Sequence, residues 1–227
     1  MATLTVYPEP GVTVDGSVRH GGIGNQTWAE VQGSAGTSAN DSDTTGDAFF
    51  IQSDTGTNKW QQLWRAIFLF DTSALTAGAI ITAATMSLFG TTKSDELAIT
   101  PNVNIYSSAP ASDSALVAGD FDSLGTTAFC DTAITYASLS TIAYNDFAFN
   151  ATGLGAISKT GVSKFGSRNA NYDVAIVTPT WSSDALSRFT VVMSDTALTT
   201  ADPKLVVTYT LPVVGGTRQL LTLLGVS

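Results

Sequence analysis

The chain has 227 residues and a formal net charge of −9, with 19 acidic against 10 basic side chains. An acidic chain without a local cluster of Lys and Arg repels phosphate groups, which excludes nucleic acid as a partner. The single cysteine, Cys130, excludes an intramolecular disulfide and a multi-cysteine metal site, and we expect a buried, unreactive thiol there. No apolar run approaches the length of a membrane-spanning helix, so we expect no membrane partner.

The N-terminal quarter of the chain predicts strands separated by a long polar stretch. Residues 3–7 (TLTVY) favour a strand that ends at Pro8, because proline cannot donate to a β-ladder. Residues 11–46 are rich in Gly, Ser, Thr and Asn, and so long a stretch must lie against the core, with Trp28 as its apolar plug. Residues 47–52 (DAFFIQ) predict the next strand.

The centre of the fold is predicted at residues 63–90. Residues 63–70 (LWRAIFLF) are apolar on both faces apart from Arg65, which is typical of a strand buried in the middle of a two-layer structure. Farther on, apolar side chains such as Ala84 and Met86 alternate with Thr and Ser, which indicates a strand with one face in water.

The remainder of the chain predicts further short strands, a helical turn in residues 109–123 and one short helix, where Leu154 and Ile157 have i, i+3 spacing. The further strands are predicted at residues 101–107, in two short runs within 126–136, and at 146–150, 162–168, 174–177, 189–193 and 204–210. About ten to twelve short strands with turns at roughly 8–12-residue spacing indicate an all-β antiparallel sandwich or barrel with long loops. We expect one domain over residues 1–210.

Residues 211–227 (LPVVGGTRQLLTLLGVS) follow the last predicted strand and are mainly aliphatic. Proteins seldom leave so many aliphatic side chains in water. The segment is therefore either a docking peptide for another chain, by strand addition or groove binding, or an arm folded on its own domain. The predicted docking residues are Val213, Val214, Leu220, Leu221, Leu223 and Leu224.

Three stretches resemble the DNRLRE-type, disaggregatase-related domain family. They are RAIFLFD at 65–71 with Ser73 and Leu75, GAIITAA at 78–84 with Met86, Leu88 and Phe89, and DPKLVVTY at 202–209. The resemblance implies a jelly-roll sandwich and an association with surfaces or glycans. It implies no catalytic residues. The composition, poor in charged residues and rich in Thr, Ser and Gly, predicts at most one or two short helices.

Residues 158–173 (SKTGVSKFGSRNANYD) are similar to segments of proteins encoded by tailed phages. The sequence opens without a secretory signal, which fits a virion protein made in the host cytoplasm and extracellular once assembled. We therefore expect a non-enzymatic virion structural protein, either a capsid decoration or a tail- or fibre-associated surface subunit. Its expected partners are other virion proteins, further copies of itself and a host-surface glycan.

The sequence holds no recognisable catalytic constellation, so we assign no catalytic residue. His20 is the only histidine, no G-x-S-x-G elbow accompanies it, and its glycine-rich surroundings predict a solvated loop residue. The carboxylates are spread through turns, where capping is their usual role.

An oxygen-rich cluster predicts a cation site. Asp41, Asp43 and Asp47 lie close together with Asn40 and Ser42, and oxygen ligands of this kind suit a hard cation such as calcium. The spacing differs from that of an EF-hand loop, and turn capping is the alternative role. We expect no cofactor, apart from a calcium ion if this cluster binds one instead of capping turns.

Aromatic side chains near turns predict a second kind of site, which supports the alternative function of a carbohydrate-binding module. Trp60, Trp181 and Tyr172 could present flat faces to sugar rings, while Asn171 and Asp173 could hydrogen-bond sugar hydroxyls. The competing interpretation is that these rings plug loops against the core.

Overall fold

The computed structural model describes residues 1–194 and 200–212 of the chain. Within these residues the protein is an all-β, jelly-roll-like antiparallel sandwich with a curled sheet and few, short helices, so the predicted fold class is confirmed. None of the described helices is long and apolar enough to span a membrane.

The described strands are β1 (Ala2–Val6), β2 (Asp15–His20), β3 (Ser38–Asn40), β4 (Thr45–Ser53), β5 (Trp60–Asp71), β6 (Ile80–Asp95), β7 (Asn102–Ser107), β8 (Ile134–Thr135), β9 (Tyr144–Ala148), β10 (Val162–Asn169), β11 (Leu186–Val192) and β12 (Lys204–Thr210). The α-helices are α1 (Trp28–Gly33) and α2 (Ala151–Gly155). Shorter helical segments are the 3-10 turns Ser73–Leu75 and Ala118–Ser123 and the π-helical turn Ala170–Val174.

The strands follow the order β1-β12-β6-β11-β4-β5-β10-β7-β8, and β2, β3 and β9 pair off this path. The long strand β6 joins the two layers of the sandwich. Its first part pairs with β12 and β9, and residues 90–95 pair with β11. Gly90 stands at the changeover, where a Cβ atom would lie 2.8 Å from the Phe189 ring and closer still to the carbonyl oxygen of Ser140. Only glycine fits there without displacing its neighbours.

The main core lies between the two layers. Strand β5 contributes Ala66, Phe68 and Phe70 to it, and β10 contributes Phe165. The ring of Phe165 meets that of Phe149 edge-on, with 5.1 Å between centroids. Each buried phenyl ring contributes about 1.5–3 kcal/mol through removal of apolar surface from water, so this cluster carries much of the stability.

A second apolar cluster covers the opposite face of β5. Leu63, Ile67 and Leu69 point into it, under a layer formed by α1 and neighbouring loops. Trp28 of α1 packs edge-on against Trp60, with 5.0 Å between ring centroids. The central strand β5 is thus buried on both faces, and Trp28 anchors the long polar stretch to the core. Both features agree with the sequence prediction.

Local signals explain most of the other elements. Helix α1 begins at a capping box in which Thr27 and Glu30 exchange side-chain and backbone hydrogen bonds. The predicted short helix is α2, and the predicted helical turn is Ala118–Ser123. Of the two β runs expected in residues 126–136 only β8 forms, and the strand expected at residues 174–177 is a turn, since Ile176 has a φ of 57° that no strand accommodates.

Candidate functional site

Two arginines lie side by side beneath the outer loop layer. In the antiparallel pair of β5 and β10, Ser167 is opposite Ala66. Arg65 precedes Ala66 and Arg168 follows Ser167, so the two arginines lie next to each other across the pair. Both side chains are buried. Two adjacent buried guanidinium groups repel each other unless an acid lies between them.

Asp173 supplies that acid from the π-helical turn Ala170–Val174. Its Oδ1 accepts hydrogen bonds from Nη2 of Arg65 (2.8 Å) and of Arg168 (2.7 Å). Its Oδ2 accepts from Nε of Arg65 (2.9 Å) and of Arg168 (2.8 Å). Asn169 fixes the turn, because its side-chain oxygen accepts from the backbone N–H of Tyr172 at 2.8 Å. We call Arg65, Asp173 and Arg168 the arginine cluster.

The electrostatics of the arginine cluster keep Asp173 charged. Burial raises the pKa of this carboxyl, but the two guanidinium groups outweigh the effect and hold the pKa below its usual value. The remaining N–H groups donate to backbone carbonyls: Arg65 to Phe121 at 2.7 Å and Arg168 to Gly125 at 2.9 Å. The Arg65 guanidinium also lies 3.8 Å from the centroid of the Phe121 ring, a cation–π contact.

A pocket of about 240 Å³ opens beside the arginine cluster, and we call it the arginine pocket. Besides the cluster itself, its lining residues are Ala29, Gln32, Gly33, Thr126, Val174 and Ile176. The side-chain amide of Gln32 ties α1 to this wall by donating to the carbonyls of Tyr172 (3.0 Å) and Asp173 (2.9 Å). The pocket is therefore framed by elements far apart in the sequence.

Sequence reasoning missed the arginine cluster, although one signal was present. Arg65 is the single charged residue in an otherwise apolar strand, and a buried arginine requires an acidic partner. The sequence does not identify which acid that is, because Asp173 lies 108 positions away.

The structure contradicts two of the predicted glycan contacts. Trp60 is 0 % exposed and offers no face to a sugar ring. The side chain of Asp173 is likewise 0 % exposed, and both its oxygens already accept from arginines. The prediction is wrong for both residues. Their neighbouring turn residues suggested exposure, but helix α1 packs over Trp60, and the ion pairs with two arginines bury Asp173.

The other three predicted glycan residues are partly exposed, but their polar groups bond within the protein. Tyr172 donates its hydroxyl hydrogen to the carbonyl of Ile99 at 2.7 Å. Asn171 accepts from the backbone N–H of Asn102 at 2.9 Å. Trp181 donates from its indole nitrogen to a backbone carbonyl at 3.1 Å. The structure does not bring the five predicted residues together around one surface.

The three predicted calcium ligands have separate protein partners. Asp41 accepts from the backbone N–H of Leu116 at 2.7 Å, and Asp43 accepts from the side chain of Asn40 at 2.6 Å. Asp47 is buried and bonds to β11, where it accepts from the hydroxyl of Thr190 at 2.7 Å. Across residues 1–194 and 200–212, no group of three or more His, Cys, Asp or Glu side chains is arranged to hold a metal ion.

His20 and Cys130 are both structural residues. His20 was predicted to be a solvated loop residue, and this is wrong: it ends β2, is buried, and its ring nitrogens lie 2.8 Å from the Ala35 carbonyl and the Gln26 side-chain oxygen. Cys130 is a buried free thiol, as predicted. Burial raises its pKa to about 12, so it carries no thiolate at neutral pH.

A second surface feature lies where the described chain ends. A groove of about 300 Å³ is lined by Ile80, Ile81, Leu154, Gly155, Ile157 and Lys159, and we call it the C-terminal groove. Thr210, the last residue of β12, pairs with Ile80, and Pro212 packs near Gly78. Strand β12 therefore ends beside this groove. The predicted docking residues Val213, Val214, Leu220, Leu221, Leu223 and Leu224 lie outside the described residues.

The fold and these two surface features define the protein as an all-β, jelly-roll-like sandwich with an arginine pocket and a C-terminal groove. Comparison with known protein families and with curated protein sequences found no match. The resemblance to the DNRLRE-type family therefore stays a prediction.

Proposed function

We propose that this chain is a non-enzymatic structural subunit of a phage virion, displayed as a capsid decoration or as a tail- or fibre-associated surface protein. It would be made in the host cytoplasm and become extracellular on assembly. The sequence features behind this proposal are the resemblance of residues 158–173 to phage-encoded chains and the aliphatic residues 213–227.

The roles of the reactive side chains support a structural function. His20 is held on both ring nitrogens, and Cys130 is a buried neutral thiol. Asp173 and Asp47, the most deeply buried of the predicted site carboxylates, bond to arginine or hydroxyl donors of neighbouring strands. Groups that general acid–base or nucleophilic chemistry would use are thus engaged in holding the sandwich together.

The observation that carries the proposal is the apolar surface where the described chain ends. Ile80 is 58 % exposed and Leu211 is 55 % exposed, and both lie beside the point from which residues 213–227 continue. An exposed apolar patch next to an aliphatic segment fits attachment to a neighbouring subunit by groove binding or strand addition. We propose that this end of the molecule is its attachment device.

Truncation after Pro212 tests the attachment role. Particles of the encoding phage, stripped of this protein, are mixed with the full chain or with a chain lacking residues 213–227, and the bound fraction is measured by co-sedimentation. We expect particle binding to be lost in the truncated chain, and circular dichroism and thermal unfolding of the two chains are compared as the control for folding. Undiminished particle binding by the truncated chain would refute the role.

The alternative function is a carbohydrate-binding module. The partial exposure of Tyr172 and Trp181 favours it, because an amphipathic ring with one free face can stack on a sugar. A glycan array with the wild-type chain and with Trp181→Ala and Tyr172→Ala variants tests this function. Glycan binding that either substitution abolishes would favour it over attachment alone, and an array without binding would eliminate it.

A further inference from the structure

The arginine cluster carries an unbalanced charge. Arg65 and Arg168 are both paired to Asp173, and among the described residues no other acidic side chain forms an ion pair with either of them. Two positive charges and one negative charge leave a net charge of +1 in a buried site. A buried charge of this kind attracts an anion far more strongly than an exposed one does.

Backbone carbonyls reduce this imbalance without removing it. Each guanidinium has five N–H donors. Arg65 uses them on Asp173, on the Phe121 carbonyl and, at 3.4 Å, on the Gln32 carbonyl. Carbonyl dipoles satisfy hydrogen bonds but carry no net charge, so the surplus positive charge persists beside the arginine pocket.

The size and walls of the pocket limit what can enter. Its volume of about 240 Å³ is below the roughly 300–1,000 Å³ typical of drug-sized ligands, so it accommodates a single small unit. Ala29, Val174 and Ile176 make part of the wall apolar, in addition to the guanidinium groups of Arg65 and Arg168. A fitting ligand therefore has one charged end and a compact body.

The backbone at the pocket mouth is strained. Ile176 has a φ of 57°, a left-handed conformation that a β-branched residue seldom adopts, and its side chain is 75 % exposed. It follows the π-helical turn Ala170–Val174 that carries Asp173. Strained residues and π-turns occur preferentially at functional sites. An exposed isoleucine held in this conformation at the mouth of a charged pocket is consistent with a binding role.

We propose that the arginine pocket binds a small monocarboxylate, with the carboxylate on the side of Arg65 and Arg168 and the compact body against Val174 and Ile176. A single negative charge matches the surplus charge of the cluster. The Nε and Nη2 atoms of both arginines already donate to Asp173, so the ligand carboxylate is held by the surplus charge and by the N–H groups that remain on the two guanidinium groups. A dianionic phosphate would exceed that charge inside a protein of net charge −9. The ligand is either a free organic acid or an acidic sugar unit of a polysaccharide. This inference is independent of the proposed attachment role.

Calorimetric titration of the full chain at low ionic strength tests the assignment with defined probes. Cyclohexanecarboxylate represents a free acid with an apolar body, and glucuronate represents an acidic sugar. Cyclohexanol and glucose are the neutral counterparts, and inorganic phosphate is the competing anion. We expect one of the two carboxylates to bind at least about tenfold more tightly than its neutral counterpart. The probe that binds identifies the source of the ligand.

Two substitutions with the same charge change localise the binding. Ile176→Glu places a carboxylate at the pocket mouth, on an exposed side chain whose replacement leaves the core intact. Ile142→Glu is the matched control, since Ile142 is 85 % exposed and does not line the pocket. We expect Ile176→Glu to weaken carboxylate binding about tenfold, through like-charge repulsion and loss of the apolar contact with Ile176, and Ile142→Glu to leave it unchanged.

Several results would overturn the proposal. These are the absence of binding by both carboxylates, equal affinity for the neutral counterparts, tighter binding of phosphate, and an equal effect of the two Glu substitutions. Because the test measures small-molecule binding and the attachment test measures particle binding, failure of one is distinguishable from failure of the other.

Discussion

Replacement of Asp173 by Asn tests whether the arginine cluster holds the outer loop layer on the sandwich. Asp173 accepts four hydrogen bonds, two on each oxygen, from Arg65 and Arg168. Asparagine keeps the size but removes the charge, and its NH₂ group faces donors instead of acceptors. Removing one partner of a buried ion pair costs about 3–5 kcal/mol, because the other charges stay buried and unpaired. We expect Asp173→Asn to lower the free energy of unfolding by that amount.

Urea denaturation followed by circular dichroism at pH 7 measures this loss. The matched control is Asp113→Asn, since Asp113 pairs with Lys164 at 2.6 Å while both side chains remain substantially exposed. Exposed pairs contribute only about 0–1 kcal/mol. An Asp173→Asn variant that loses no more stability than Asp113→Asn would refute the structural importance of the cluster.

The stability difference between wild type and Asp173→Asn should depend on pH. Burial raises the pKa of Asp173, but the guanidinium groups outweigh it and hold the folded-state pKa below the usual value of 3.8. The stabilisation from a lowered carboxyl pKa is fully present above the unfolded-state pKa and is lost as the pH falls through the folded-state pKa. The difference in unfolding free energy between wild type and Asp173→Asn should therefore shrink as the pH falls below 3.8. A difference that stays constant in that range would contradict the pKa direction.

Three further predictions concern single positions. Gly90→Ala should lower the free energy of unfolding by about 1–3 kcal/mol, because the added methyl group would overlap the Ser140 carbonyl oxygen and the Phe189 ring. Gly33→Ala, with open space around it, should not, and equal losses in urea denaturation would contradict this. Cys130 should react with a thiol reagent at pH 8 only after unfolding, because burial raises its pKa to about 12, and rapid labelling of the native chain would disprove it. Ile176→Gly should relieve the left-handed strain and so raise the free energy of unfolding by up to about 1 kcal/mol. The melting temperature should rise with it, and an unchanged or lower melting temperature would argue against strain.

The sequence predicts the sandwich well because strand patterning is local. The run at residues 63–70 is apolar on both faces, and β5 is buried on both faces because the main core and the outer loop layer cover it from opposite sides. The alternation of Ala84 and Met86 with polar neighbours similarly indicates a strand with one face in the core. Alternation of apolar with polar residues and continuous apolar runs can be recognised in the sequence without knowing which strands pair.

The sites were harder to predict because long-range packing decides them. The turn residues before Trp60 suggest exposure, but α1, more than 25 positions upstream, covers the indole. His20 lies in a glycine-rich stretch that reads as a loop, yet Ala35 and Gln26 enclose its ring. The role of Asp173 depends on an arginine on β5, a distant strand. No local pattern distinguishes such residues from surface ones.

Strand β6 has a consequence for how the molecule responds to mechanical load. Its 16 residues pair with β12 and β9 in one layer and with β11 in the other, so neither sheet can separate without displacing this strand. Strand β12, which leads to the C-terminal end, is flanked by β1 on one side and β6 on the other. Tension applied at that end is therefore shared between both sheets, and the domain should resist pulling as one body and rupture in a single event.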